Sequence, residues 1–165
     1  MRPKLVLDMD ETLLHAEWVS DAAVRVYQRP GVEKFLMDMS EVYDLVLYTA
    51  GTRPYAENVM KSVDPSNLVG QHLYRESCVT RSDGTFMKDL NRVPSVELSR
   101  TLILDDTPEN FSEQPMNVIP MRKFYDDPSD DVLQTITPFL LEYACTDMDA
   151  RQFTKLMLPY FESLL

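Results

Sequence analysis

The chain carries closely spaced acidic residues at two places, Asp8-Met9-Asp10 and Asp105-Asp106, each directly behind a short apolar run. Carboxylates gathered this densely repel one another and need a cation to persist together. Magnesium, which favours oxygen ligands in octahedral geometry, fits a set made of Asp8, Asp10, Asp105 and Asp106 and leaves positions open for water and a phosphate. Beside such an ion Asp8 can attack phosphorus in line, splitting one hydrolysis into two steps through an aspartyl-phosphate. Asp10 can protonate the leaving oxygen and then take a proton from the incoming water. Lys88 adds positive charge, and Thr49 adds a hydroxyl donor. The N–H groups of Ala50 and Gly51, at the entry to the next helix, offer further donors to a phosphate oxygen.

These groups cooperate only if the fold delivers them to one edge. Lys4-Leu5-Val6-Leu7 reads as a buried strand ending in acid, and Asp44 to Ala50 repeats the pattern, ending at Thr49. Thr101-Leu102-Ile103-Leu104 is a third such strand, running into Asp105. Between them, Val32, Phe35, Leu36 and Met39 share one helical face behind Pro30-Gly31. A second helix starts at Thr52 and Pro54, with Tyr55, Val59 and Val63 as its inner stripe. Asp83-Gly84 predicts a two-residue hairpin turn within Ser77 to Lys88. A fourth short strand lies at 117–120. Asp130 caps a helix bearing Val132, Leu133, Ile136, Leu140 and Tyr143, kinked at Pro138, and a last amphipathic segment from Phe153 to Leu164 is interrupted at Pro159. Alternating strands and helices predict an α/β fold with a mainly parallel sheet, whose ligands bind beyond the carboxyl ends of the strands.

The totals agree with a water-exposed globular domain. In 165 residues, 44% are hydrophobic and 26% charged, and no apolar run reaches the length of a membrane helix. The net charge of −11 argues against nucleic acid as a partner, because phosphate-backbone affinity comes from Lys and Arg. Cys78 and Cys145 are too few for a disulfide framework and lack metal-ligand spacing. We expect one catalytic domain over 1–165, monomeric, with no membrane contact within this segment. Its expected location is intracellular, nuclear or cytoplasmic, or mitochondrial or membrane-anchored where a longer protein supplies a targeting segment.

Asp8-Met9-Asp10-Glu11-Thr12 fits the DxDx(T/V) signature of haloacid dehalogenase superfamily phosphatases, and Thr49, Lys88 and Asp105-Asp106 follow in that superfamily's order. Within it the chain resembles the small C-terminal-domain phosphatases and nuclear LIM-interactor-interacting-factor-like domains. The resemblance rests on Asp8 to His15, Arg29-Pro30-Gly31-Val32, Leu47 to Ala50, Arg75-Glu76-Ser77-Cys78-Val79, Lys88-Asp89-Leu90 and Leu102 to Pro108. It implies a Rossmann-like three-layer fold with a short hairpin insertion and no large cap domain. It also implies a magnesium-dependent phosphatase of phosphoserine or phosphothreonine proteins, often the RNA polymerase II repeats. Arg81 would contact substrate, in a stretch one residue longer than in close relatives, and Thr12 would support the substrate site by orienting Asp10 or capping a turn. Two departures stand out. Only Ala16 to Gln28 separates His15 from Arg29, where polymerase-reading members carry a long β-insertion, and Asp106 stands where close relatives often carry Asn.

Other readings compete. A receiver domain uses similar groups, but its threonine and lysine follow the acids, whereas here they precede the second pair. A binding module like the mitochondrial translocase receptor, taking a presequence or another protein, shares the fold. Phosphotyrosine and small-molecule phosphatases share the chemistry. Asp126, Asp127, Asp130 and Asp131 read as loop and helix cap rather than a metal site, and His15 as a structural hydrogen-bonding residue. Trp18 and Tyr27 fit either recognition or a small apolar cluster.

Overall fold

The structure, a computed structural model, describes all residues 1–165. Five strands form one parallel sheet: β1 (Lys4–Leu7), β4 (Asp44–Tyr48), β5 (Gln71–Leu73), β8 (Thr101–Asp105) and β9 (Val118–Pro120), in the order β5-β4-β1-β8-β9. The remaining strands make two separate hairpins, β2 (Leu14–Ser20) with β3 (Ala23–Gln28) and β6 (Val79–Thr80) with β7 (Phe86–Met87). Leu7 pairs with Leu47 on one side and Leu104 on the other, so the residues that follow emerge side by side at one edge. The sheet's middle strands are buried on both faces, which is why they read as unbroken Leu, Val and Ile.

The two faces are covered differently. Helices α1 (Val32–Val42), α2 (Arg53–Val63), α3 (Val132–Ala144) and α4 (Ala150–Ser163) all contribute to one core cluster with Leu5, Leu7, Leu45, Leu47, Leu102 and Leu104. On the opposite face Val6, Val46 and Ile103 pack against Leu90, Val93 and Phe111, which come from short 3-10 turns. The third layer is thus built of turns and loops, and no helix or cap crosses over the edge where Asp8 emerges.

Several local expectations change. Helix α4 runs through Pro159 without the expected interruption, held by its apolar face against the core, while α3 continues past Pro138 as expected. The tip of the β6–β7 hairpin is longer than a two-residue turn. Arg81 N–H donates to Thr85 O (2.7 Å) and Gly84 N–H to Arg81 O (3.0 Å), with Gly84 at φ 85° in the left-handed region that only glycine enters freely. Residues 16–28, described above only as a short insert, form most of the β2–β3 hairpin. No helix is long and apolar enough to cross a membrane.

Candidate active site

Lys88 is the hub of the sheet edge. Its Nζ lies 2.6 Å from Asp8 Oδ1 and 2.8 Å from Asp105 Oδ2, and all three side chains are almost entirely out of solvent. Burial alone would lower the pKa of the ammonium, but Asp8 and Asp105 outweigh it and hold Lys88 above the usual lysine range. Burial, followed by carboxylate neighbours, pushes Asp8 well up despite the pull of Lys88, and burial likewise raises Asp105. One cation therefore serves two buried acids, and the cluster carries surplus negative charge.

A third carboxylate adds to that surplus. Thr12, fully buried, has its hydroxyl 3.1 Å from both Asp8 Oδ2 and Asp106 Oδ1, and it accepts the Asp106 N–H at 3.2 Å. Asp106 also adds to the rise of Asp8, behind burial and the Asp105 carboxylate. Burial works to raise Asp106 as well, but Asp8 and Lys123 together carry it below the usual range. Asp8, Asp105 and Asp106 each bring a carboxylate oxygen within 4.8 Å of the others. A dense set of hard oxygen donors with too few counter-charges fits a divalent cation of the magnesium kind.

The other predicted residues fall into place around this group or away from it. Asp10 turns its carboxylate to Tyr55, whose hydroxyl donates to Oδ1 at 2.6 Å, so Asp10 stands outside the three-carboxylate group. Burial raises its pKa, partly offset by that hydrogen bond. Thr49 is buried just past β4 and accepts the Gly51 N–H at 3.0 Å, leaving its own hydroxyl hydrogen to donate. A Cβ on Gly51 would crowd this turn, coming 3.0 Å from the Tyr55 ring and 3.2 Å from Thr49 Oγ1. Ala50 presents its carbonyl to Arg75 Nε at 2.8 Å. Thr12 contacts Asp8 and Asp106 rather than Asp10. Arg81 is not brought to the cluster; its guanidinium is tied to the carbonyls of Phe86 (3.2 Å) and Glu109 (2.8 Å). The Asp126–Asp131 segment holds no metal-like group; its Asp130 instead pairs with Arg29, 2.8 Å from Nε.

Residues that sequence reasoning passed over complete the surroundings. A cleft of about 460 Å³ beside Asp10 is lined by Trp18, Ala50, Gly51, Thr52, Tyr55, Arg75 and Phe86. Trp18 stacks on Tyr55 with centroids 6.1 Å apart, and the Arg75 guanidinium sits 4.9 Å above the Phe86 ring. Tyr55 was legible only as a helix-stripe residue, Trp18 was ambiguous, Arg75 stood out only as part of a segment carrying the family resemblance, and nothing marked Lys123, because the partners are distant in sequence.

The model of the NLI interacting factor-like phosphatase family matches residues 3–151. The chain belongs to that family. It is 33% identical over 151 residues to CTD small phosphatase-like protein 2 of Dictyostelium discoideum, covering 82% of this chain and 26% of that one. It is 35% identical over 136 residues to the mitochondrial import inner membrane translocase subunit tim50 of Neurospora crassa, covering 82% and 25%. The chain thus spans about a quarter of the length of these relatives. Among solved structures, fission yeast Fcp1-R271A, an RNA polymerase II CTD phosphatase bound to beryllium fluoride, superposes with a TM-score of 0.60 at 22% identity, over 98% of this chain and 56% of that one. The fold is that of the haloacid dehalogenase phosphatases, with a five-stranded parallel sheet and no large cap.

Proposed function

We propose that this chain hydrolyses phosphoserine or phosphothreonine esters in protein segments, with Asp8 as nucleophile and magnesium as cofactor. The observation that carries the reading is Asp8 itself: a nearly buried carboxylate at the central strand's end, oriented from one side by Lys88 and from the other by Thr12. Asp8, Asp105 and Asp106 would hold the cation, which when bound neutralises charge on the phosphate and leaves Asp8 ionised.

The chain's own groups account for the remaining steps. Lys88 holds Asp8 Oδ1 while the carboxylate bonds to phosphorus and the ester oxygen departs. Thr49 donates its hydroxyl to a phosphate oxygen. Tyr55 occupies Oδ1 of Asp10, leaving Oδ2 to deliver a proton to the departing serine or threonine oxygen. Burial keeps that proton available above the usual carboxylate range. Asp10 then accepts a proton from water as the water oxygen attacks phosphorus and frees Asp8. The uncapped edge and the aromatic cleft beside Asp10 suit an extended peptide better than a small enclosed substrate.

Two variants and a peptide panel test the reading. Asp8→Asn and Asp10→Asn should abolish magnesium-dependent hydrolysis of an aryl phosphate with melting behaviour retained, and undiminished turnover would sink the mechanism. A panel of phosphoserine, phosphothreonine and phosphotyrosine peptides, with polymerase repeats among them, then ranks substrates. The similarity to a translocase subunit favours a second reading, a protein-binding module on the same fold. Tight binding of unphosphorylated peptide with negligible hydrolysis throughout the panel would select it.

A further inference from the structure

Lys123 is the second cation at the acidic edge, and its setting differs from that of Lys88. It follows β9 in a segment stitched to both acidic motifs, with Met121 N–H donating to Asp105 O (3.0 Å) and Phe124 N–H to Glu11 O (2.8 Å). The stitching delivers Lys123 Nζ to the outer oxygen of Asp106, Oδ2, at 2.6 Å, with Thr107 Oγ1 at 3.4 Å. Thr107 Oγ1 also donates to Oδ2, at 3.1 Å. The inner oxygen, Oδ1, takes the Thr12 hydroxyl at 3.1 Å, the same hydroxyl that lies 3.1 Å from Asp8 Oδ2. Asp106 is thereby divided, one oxygen committed to the protein's own cation and one turned to the cluster. The Lys123 side chain is half exposed while that of Asp106 is nearly buried.

We infer that Lys123 is a positioning residue that confines Asp106 to a single ligand oxygen and so biases this site toward magnesium over calcium. The inference rests on the metal-dependent reading proposed above. Magnesium demands a compact octahedron of single oxygens, whereas calcium takes six to eight oxygens and readily accepts both atoms of one carboxylate. With Oδ2 tied to Lys123, the two-oxygen mode is unavailable at Asp106. Loss of the ammonium alone, as plain charge, strengthens both dications alike and leaves their ratio unchanged. A change in the ratio therefore reports the coordination effect and separates it from electrostatics.

The test is a four-variant cycle: the unaltered chain, Lys123→Met, Asp106→Asn and the double variant, each titrated calorimetrically with magnesium and with calcium. Metal-free melting curves confirm that every variant is folded. Lys123→Met should shift the calcium-to-magnesium affinity ratio toward calcium by roughly tenfold, within the range for groups that orient a metal ligand. Lys123→Arg should restore the original ratio. In the Asp106→Asn background, where the side chain has a single oxygen to offer, Lys123→Met should leave the ratio where it was. A ratio that Lys123→Met does not move, or a shift of equal size in both backgrounds, overturns the inference. Absence of magnesium binding by the unaltered chain would instead overturn the metal-dependent reading.

Discussion

Two buried ion pairs in this molecule use the same chemistry to opposite ends. Arg29 and Asp130 form a one-to-one fork, Nε to Oδ1 at 2.8 Å and Nη2 to Oδ2 at 2.9 Å. Each nitrogen and oxygen of the pair has a partner: Arg29 Nη1 donates to Thr12 O (3.1 Å), Val132 N–H donates to Asp130 Oδ1 (3.2 Å), and Arg122 Nη2 donates to Asp130 Oδ2 (3.3 Å). At the sheet edge, Lys88 is shared between Asp8 and Asp105, and Asp106 approaches without a buried cation of its own. The first pair is balanced and closed; the second is short of positive charge and sits where the sheet opens. Burial by itself therefore does not mark a functional ion pair. A deficit of counter-charge at a strand end does. The two are also joined, because the balanced pair holds the Thr12 carbonyl while the Thr12 hydroxyl holds Asp8 and Asp106.

Removing one carboxylate from each pair should separate these roles. Asp8→Asn should cut phosphate-ester turnover by roughly 10^4-fold or more while leaving the melting temperature near that of the unaltered chain or above it. Asp130→Asn should do the reverse. It strands Arg29 without its partner and should cost about 3–5 kcal/mol of stability by denaturant unfolding, with turnover per folded molecule retained. Equal losses of activity in both variants would erase the distinction.

Acid sharpens the contrast. Burial works to raise Asp130, but Arg29 overrides it and holds the carboxyl below its ordinary value. The pair's contribution is therefore present at neutral pH, above the unfolded carboxylate pKa, and is lost as pH falls through the lower folded value. The stability gap between the unaltered chain and Asp130→Asn should accordingly shrink on acidification below about pH 4. A gap that stays constant would mean the pair is not the cause.

Smaller effects follow from less buried contacts. Tyr55→Phe removes one hydrogen bond to the proton carrier and should lower kcat by about tenfold, with KM nearly unchanged. The exposed Lys34–Asp38 pair, 2.7 Å across one helical turn, should matter least. Lys34→Ala should change stability by less than about 0.5 kcal/mol despite a distance as short as those in the buried pairs.

Much of this arrangement was legible in the sequence for a simple reason. Strands buried on both faces are continuous apolar runs, and the polar residue that ends each one announces the sheet edge. Asp8, Thr49 and Asp105 were found that way, and Asp106 and Lys88 by their order along the chain. What stayed hidden depends on pairing across the fold. Tyr55 looks like any stripe residue until Asp10 arrives beneath it, and Lys123 gains meaning only from a loop stitched across two motifs. Asp130 reads as a cap because its partner is 101 positions away. The β2–β3 hairpin was missed because its outer residues are mostly exposed and its strands lack an apolar run. Pro159 misled because tertiary packing carries its helix past a residue that disfavours it.

The central claim is that Asp8 bonds covalently to phosphorus. A phosphoserine peptide mixed with the magnesium-loaded chain, quenched in acid within the first turnover and digested for mass spectrometry, tests it most directly. The account predicts a phosphoryl group on the peptide containing Asp8, absent from the Asp8→Asn variant. Turnover with no phosphorylated protein trapped, or with the group on any other residue, would contradict it.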